Sequence, residues 1–349
     1  MTDIRAALAA VARYGLDGHD AIEVPEPEHH AALVTELQVH RLLGVAATAV
    51  ESGALTLSPA AAEQLRQAHD IVMAQTLRVE LMLLRATEVL AAAEIPYRVL
   101  KGAALAHGVA ERPSEREYRD VDLLVPGEHI DDAVEAIIAA GGARLSPQLR
   151  SGFDRRFGKS VTMRFAGVEI DLHRTLCPGP FGALMFPHDL FVMRDMVEVA
   201  GVSLPTLDAT DHLLHACYHV ALGSAKPAFS NLRDVALLAA GEWDLARLES
   251  TVARWQGTPV LARAAHLLDA QLGVEVPVGL RSFTMSTAGR EMLEPYLADG
   301  DRFPALAAGT LRVLPLADRP AFALAVGLPE GANPADRARE LWASRPRRR

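Results

Sequence analysis

The stretch Tyr118-Arg119-Asp120-Val121-Asp122-Leu123-Leu124-Val125 decides how this chain is read. Its apolar half predicts a buried strand. Side chains alternate across a strand, so Asp120 and Asp122 face the same way. Two carboxylates beside an apolar run are costly unless positive charge sits between them. A divalent cation is the usual solution, and oxygen-only ligands favour Mg²⁺ or Mn²⁺ over zinc. A lone Asp-x-Asp is more often a solvated pair at a strand mouth, so the reading depends on what surrounds it.

Two further segments supply that support. Upstream, Leu100-Lys101-Gly102-Ala103-Ala104-Leu105 reads as a strand end turning into a helix. Such a turn brings backbone N–H groups and the positive end of a helix dipole close to an anion. Gly102 permits the approach and Lys101 supplies charge. Downstream, Val168-Glu169-Ile170-Asp171-Leu172-His173 reads as a strand carrying a third carboxylate. Glu169 and Asp171 share a face by alternation. Asp171 is preferred because it lies deeper in the apolar run. His173 either orients that carboxylate, touches substrate or is an ordinary hydrogen-bonded histidine.

Working outward, residues 1–93 read as helical throughout, with Ser58-Pro59 opening a long helix striped by Leu65, Val72, Val79, Leu83 and Leu90. A short strand is predicted at 97–100, a charged loop at 110–119 and a helix at 128–140. Hairpins turn at Ala166-Gly167 and at Gly201. Asp208 caps a helix through Val220, and proline-broken helices follow. The fold class is α+β: a small mixed sheet core over 59–206, flanked by helical regions at 1–58 and 207–349. Few, short strands argue against a doubly wound Rossmann domain.

The formal charge of −9 argues against broad nucleic-acid binding, which needs Lys and Arg to displace counterions. The basic run Arg345-Pro346-Arg347-Arg348-Arg349 reads as a frayed terminus. Two cysteines, Cys177 and Cys217, give no disulfide framework and point to a reducing cytoplasm. No apolar stretch is long enough to span a bilayer. The start reads as a surface helix and not a signal peptide. Gly158-Lys159-Ser160 lacks the earlier glycine of a phosphate loop, since Phe153 stands there. His215 and His219, with His212 and Asp211 nearby, read as buried helix histidines ahead of a zinc site. Asp234 is expected to pair with a neighbouring helix, with Arg233 as candidate partner.

The ordered series Ile95 to Gly102, Arg116, Asp120 to Val125, Val168 to His173, Asp211 to His215 and Leu232 to Leu238 resembles uncharacterised bacterial nucleotidyltransferases of the DNA polymerase β-like superfamily. The resemblance implies a glycine turn at Gly102 for the triphosphate and metal ligands at Asp120, Asp122 and Asp171. The superfamily's usual Gly-Ser is Lys101-Gly102 here, with a longer spacer to the Asp-x-Asp. Arg116 and Arg119 are candidate phosphate ligands, since guanidinium forks suit phosphate oxygens. Two metals about 3.5–4 Å apart would clamp the attacking and leaving oxygens. The expected activity is Mg²⁺- or Mn²⁺-dependent transfer of a nucleoside monophosphate from an NTP, with release of pyrophosphate. A small-molecule or peptide acceptor is favoured by the acidic charge. A toxin-like enzyme acting on tRNA is the alternative, and a non-catalytic nucleotide-binding scaffold the rival from another class. No membrane partner is expected.

Overall fold

The computed structural model describes residues 3–16 and 22–329. The strands are β1 (Arg98–Val99), β2 (Asp120–Leu124), β3 (Ala143–Arg144), β4 (Ser160–Phe165), β5 (Val168–His173), β6 (Asp195–Val199) and β7 (Val202–Thr206). They form one mixed sheet in the order β3-β4-β5-β2-β1-β7-β6. β2 is parallel to β5 and antiparallel to β1, which in turn runs parallel to β7. The α+β reading therefore holds. β3 is too short to leave a periodic signal in the sequence, and the adjacency of β7 to β1 is a non-local pairing that no local pattern records.

Alternation explains the sheet's two faces. Val121 and Leu123 of β2, Ile170 and Leu172 of β5, and Val161 and Met163 of β4 are buried in one apolar cluster. That cluster includes residues of the helices Pro59–Ala92 and Ile130–Ala139. Each such side chain contributes about 1.5–3 kcal/mol by leaving water. A one-residue slip of β2 would drive its aspartates into this layer, so the register is strongly specified. In that register Asp120 faces Glu169, Asp122 faces Asp171, and Leu124 faces His173. The acids of both strands therefore share the other face.

The N-terminal segment is not helical throughout. Helices cover Ile4–Arg13, His30–Val39, Leu43–Glu51 and Pro59–Ala92. Pro25 and Pro27, which lack a helix-donating N–H, lie in the first gap. The long helix begins at Pro59 as expected, but the Ser58 hydroxyl makes no capping bond. Instead the Ser58 N–H donates to His30 Nδ1 at 2.9 Å. Asp208 does cap its helix, accepting from the Asp211 N–H at 3.0 Å. Both hairpin turns have positive φ at their two central residues, 46° and 86° at Ala166-Gly167 and 50° and 80° at Ala200-Gly201. These are the angles of a type I′ turn, which matches strand twist.

The early and late helices share a core. Leu8, Val11, Leu33 and Leu37 belong to the same apolar cluster as Leu214, Tyr218, Leu232 and Trp255. Leu124, on the acid-bearing face of the sheet, is part of it. Close backbone contact fixes this arrangement at Gly44, where an added Cβ would stand 1.9 Å from the Ser114 carbonyl oxygen. Beside it the Leu43 N–H donates to Glu117 Oε1 at 2.7 Å. Gly44→Ala should therefore cost about 2–3 kcal/mol through overpacking. A chemical-denaturation midpoint equal to that of the parent protein would refute this.

Both cysteines are free and buried. No helix among the described residues is long and apolar enough to cross a membrane. The basic run at 345–349 lies outside the described residues.

Candidate active site

Asp122 sits at the centre of the acid-bearing face and is only 3% exposed. Its Oδ1 accepts two hydrogen bonds, from Lys101 Nζ at 3.0 Å and from His173 Nε2 at 2.7 Å. Its Oδ2 is buried with no hydrogen-bond partner. Burial alone would push this carboxyl up. The Lys101 ammonium and the His173 N–H outweigh burial and hold it well below the usual carboxylate range. His173 is itself lowered by burial and by the charge of Lys159, so at neutral pH it is an uncharged donor through Nε2–H.

Asp171 lies directly across from Asp122 in the parallel pair. The Thr162 hydroxyl of β4 donates to its Oδ1 at 2.6 Å. Its Oδ2 stands 3.9 Å from His173 Nε2. Ligand atoms of Asp122, Asp171 and His173 all lie within 4.8 Å of one another. The open Oδ2 of Asp122 and a second carboxylate at this distance suit a divalent cation bound through oxygen. Glu169, the alternative third acid, is exposed and faces Arg164 at 3.6 Å.

A cavity of about 350 Å³ opens beside these groups. Its walls include Asp120, Asp122, Lys101, Gly102, Arg116 and Arg41. Gly102 has φ +28°, a conformation that interrupts the helix Lys101–Gly108 and that side-chain-bearing residues rarely adopt. The glycine turn and the two-carboxylate strand thus meet at one cavity. Burial, then the neighbouring charge of Asp122, pushes the Asp120 carboxyl up.

The family model described as an uncharacterised nucleotidyltransferase matches residues 26–273. The chain belongs to this family. It is a nucleotidyltransferase, and the matched span contains every strand and both halves of the acid site. No curated protein matches its sequence. Among solved structures it is similar to an antigenic nucleotidyltransferase-like protein from Paracoccidioides brasiliensis, at 15% identity and a TM-score of 0.32. That match covers 58% of this chain and 93% of the other, an overlap too loose to tie chemistry to it.

The two arginines expected at phosphate are placed differently by this nucleotidyltransferase. Arg116 reaches the cavity wall, but its Nε and Nη2 are bound to the two carboxylate oxygens of Asp234, each at 2.8 Å. Its remaining Nη1 donates to the Glu117 carbonyl. Most of its fork is thereby committed to a buried pair that ties the strand entry to the helix Phe229–Ala240. The Asp234 partner is Arg116 and not Arg233, which instead binds Glu115 at 3.2 Å. Arg119 is exposed and lines a separate hollow with Gln75, Arg78 and Gly167. Arg116→Lys cannot reproduce the two-pronged pair and should cost about 3 kcal/mol. A urea midpoint unchanged within error would show the pair to be idle.

Two wall residues, Arg41 and Asn231, have no counterpart in the sequence reading, and His219 was read only as a buried helix histidine. Arg41 follows a helix end and holds φ +56°. His219 and Asn231 enter from the helices Ala209–Leu222 and Phe229–Ala240, and Asn231 Oδ1 is buried without a partner. The spacing of His215 and His219 placed both on one helix but carried no information about which wall either would join. His212 is structural: Thr206 Oγ1 donates to the Val99 carbonyl at 2.7 Å and lies 3.0 Å from His212 Nε2.

Proposed function

We propose that this enzyme transfers a nucleoside monophosphate from an NTP to a small-molecule or peptide acceptor and releases pyrophosphate. The observation that carries the reading is the Asp122 carboxylate, ionised, buried and left with one unpartnered oxygen opposite Asp171. Asp122, Asp171 and Asp120 would hold Mg²⁺ or Mn²⁺. When bound, such a cation neutralises phosphate charge and helps to orient the triphosphate. Lys101 and the Gly102 turn place positive charge and a close backbone approach beside that triphosphate. The acceptor hydroxyl oxygen bonds to the α-phosphorus, the bond to the pyrophosphate oxygen breaks, and the acceptor proton passes to Asp171. His173 keeps the Asp122 carboxylate in place. Residues 59–206 would form the catalytic core, with the helical regions at 1–58 and 207–349 walling the acceptor side. Free buried thiols suit a bacterial cytoplasm, and the site plan suits the DNA polymerase β-like superfamily.

The test uses each NTP labelled at the α-phosphate, with Mg²⁺ and pools of small molecules, peptides and tRNA. Label should move to a small molecule or peptide, with pyrophosphate released and little dependence on salt. Transfer to tRNA that collapses steeply with salt would favour the nucleic-acid acceptor instead. Binding of no NTP under any condition would end the proposal.

A further inference from the structure

Resting on that nucleotidyl-transfer reading, we propose that Lys101 stands in for a second metal ion, so that the site works with a single divalent cation. A two-metal site needs a carboxylate that gives one oxygen to each ion. Asp122 is placed for that task, yet one of its oxygens is already taken. Each carboxylate oxygen offers about two lone-pair directions. Asp122 Oδ1 spends both, on Lys101 at 3.0 Å and on His173 at 2.7 Å. Only Oδ2 is left, buried and without a partner. Asp122 can therefore serve one cation.

Neither donor is free to withdraw. The His173 side chain is 1% exposed and stands on β5 opposite Leu124 of β2. The Lys101 side chain is 19% exposed and starts at the glycine kink that fixes its backbone. Pulling the ammonium away would leave Asp122 charged and buried with a weaker partner. The Lys101 ammonium thus occupies the place at Asp122 Oδ1 that a second cation would need.

The experiment counts ions. The full chain is titrated with Mn²⁺ in the presence of each α,β-methylene NTP, and bound Mn²⁺ is followed by electron paramagnetic resonance. The parent protein should bind one Mn²⁺ per chain, with no broadening from a second ion nearby. Lys101→Met, which keeps most of the stem, should bind two and show that broadening. Lys101→Arg, which keeps the charge, should stay at one. Two ions in the parent protein would overturn the lysine proposal while leaving nucleotidyl transfer intact. One ion in a folded Lys101→Met protein would overturn it as well. If the parent binds neither Mn²⁺ nor any nucleotide, the nucleotidyl-transfer reading of this cavity itself fails.

Discussion

Asp122→Asn should reduce nucleotidyl transfer by at least about a thousandfold. Charge stabilisation at a cation-assisted phosphoryl site is worth several kcal/mol, and about 1.4 kcal/mol is a factor of ten in rate. The amide removes the negative charge that pairs with Lys101 and the open oxygen that suits a cation. It keeps an acceptor for the His173 N–H, so the side chain should stay in place. The loss should therefore appear in turnover, with the fold retained. Asp171→Asn should behave alike, since Asp171 is the cross-strand neighbour of Asp122 and the proposed proton acceptor. Melting curves and circular dichroism on both variants separate chemistry from unfolding. A folded Asp122→Asn protein within tenfold of parental turnover would remove Asp122 from the chemistry.

How much of this was legible in the sequence follows from the range of each signal. β2, β5, the Gly102 turn and both hairpins were readable because each is written in a few adjacent residues. The preference for Asp171 over Glu169 was also local, since depth in an apolar run reflects depth in the sheet. The fate of Arg116 was not readable. Its partner Asp234 lies 118 residues away, and an arginine near phosphate-binding elements looks the same whether its fork is free or taken. Arg41 and Asn231 reach the cavity through helix packing between the two ends of the chain. No periodicity encodes that contact. His173 had three readings in the sequence, and only its place beside Asp122 in the folded sheet, with Nε2 on Oδ1, shows which carboxylate it orients.

The helix Ala209–Leu222 should make the protein acid-labile above the ordinary carboxylate range. Burial lowers His212 to about 4 and His219 to about 3, and His215 is held well below its ordinary value by burial and by Lys101. A histidine whose native pKa is depressed binds its proton more readily when unfolded. Native stability is therefore intact above pH 6.5 and falls as pH drops from there towards the native values. At about 1.4 kcal/mol per tenfold change in proton affinity, His212 alone removes on the order of 3 kcal/mol. His219 removes a similar amount, reduced where water in the cavity screens it. Asp211 works in the opposite sense. Burial pushes its carboxyl up to about 6, so its contribution favours the folded state at low pH and is lost as pH rises through 6. That offset is about 3 kcal/mol, and three histidines outweigh it. Total stability of a folded chain is only about 5–15 kcal/mol, so the net loss is a large share of it. Urea midpoints measured from pH 7.5 to pH 4.5 should fall steeply below pH 6.5. In His212→Asn/His219→Gln the same curve should be flatter, whatever its height at pH 7.5. Parallel curves for the two proteins would show that these histidines are not held neutral by the fold.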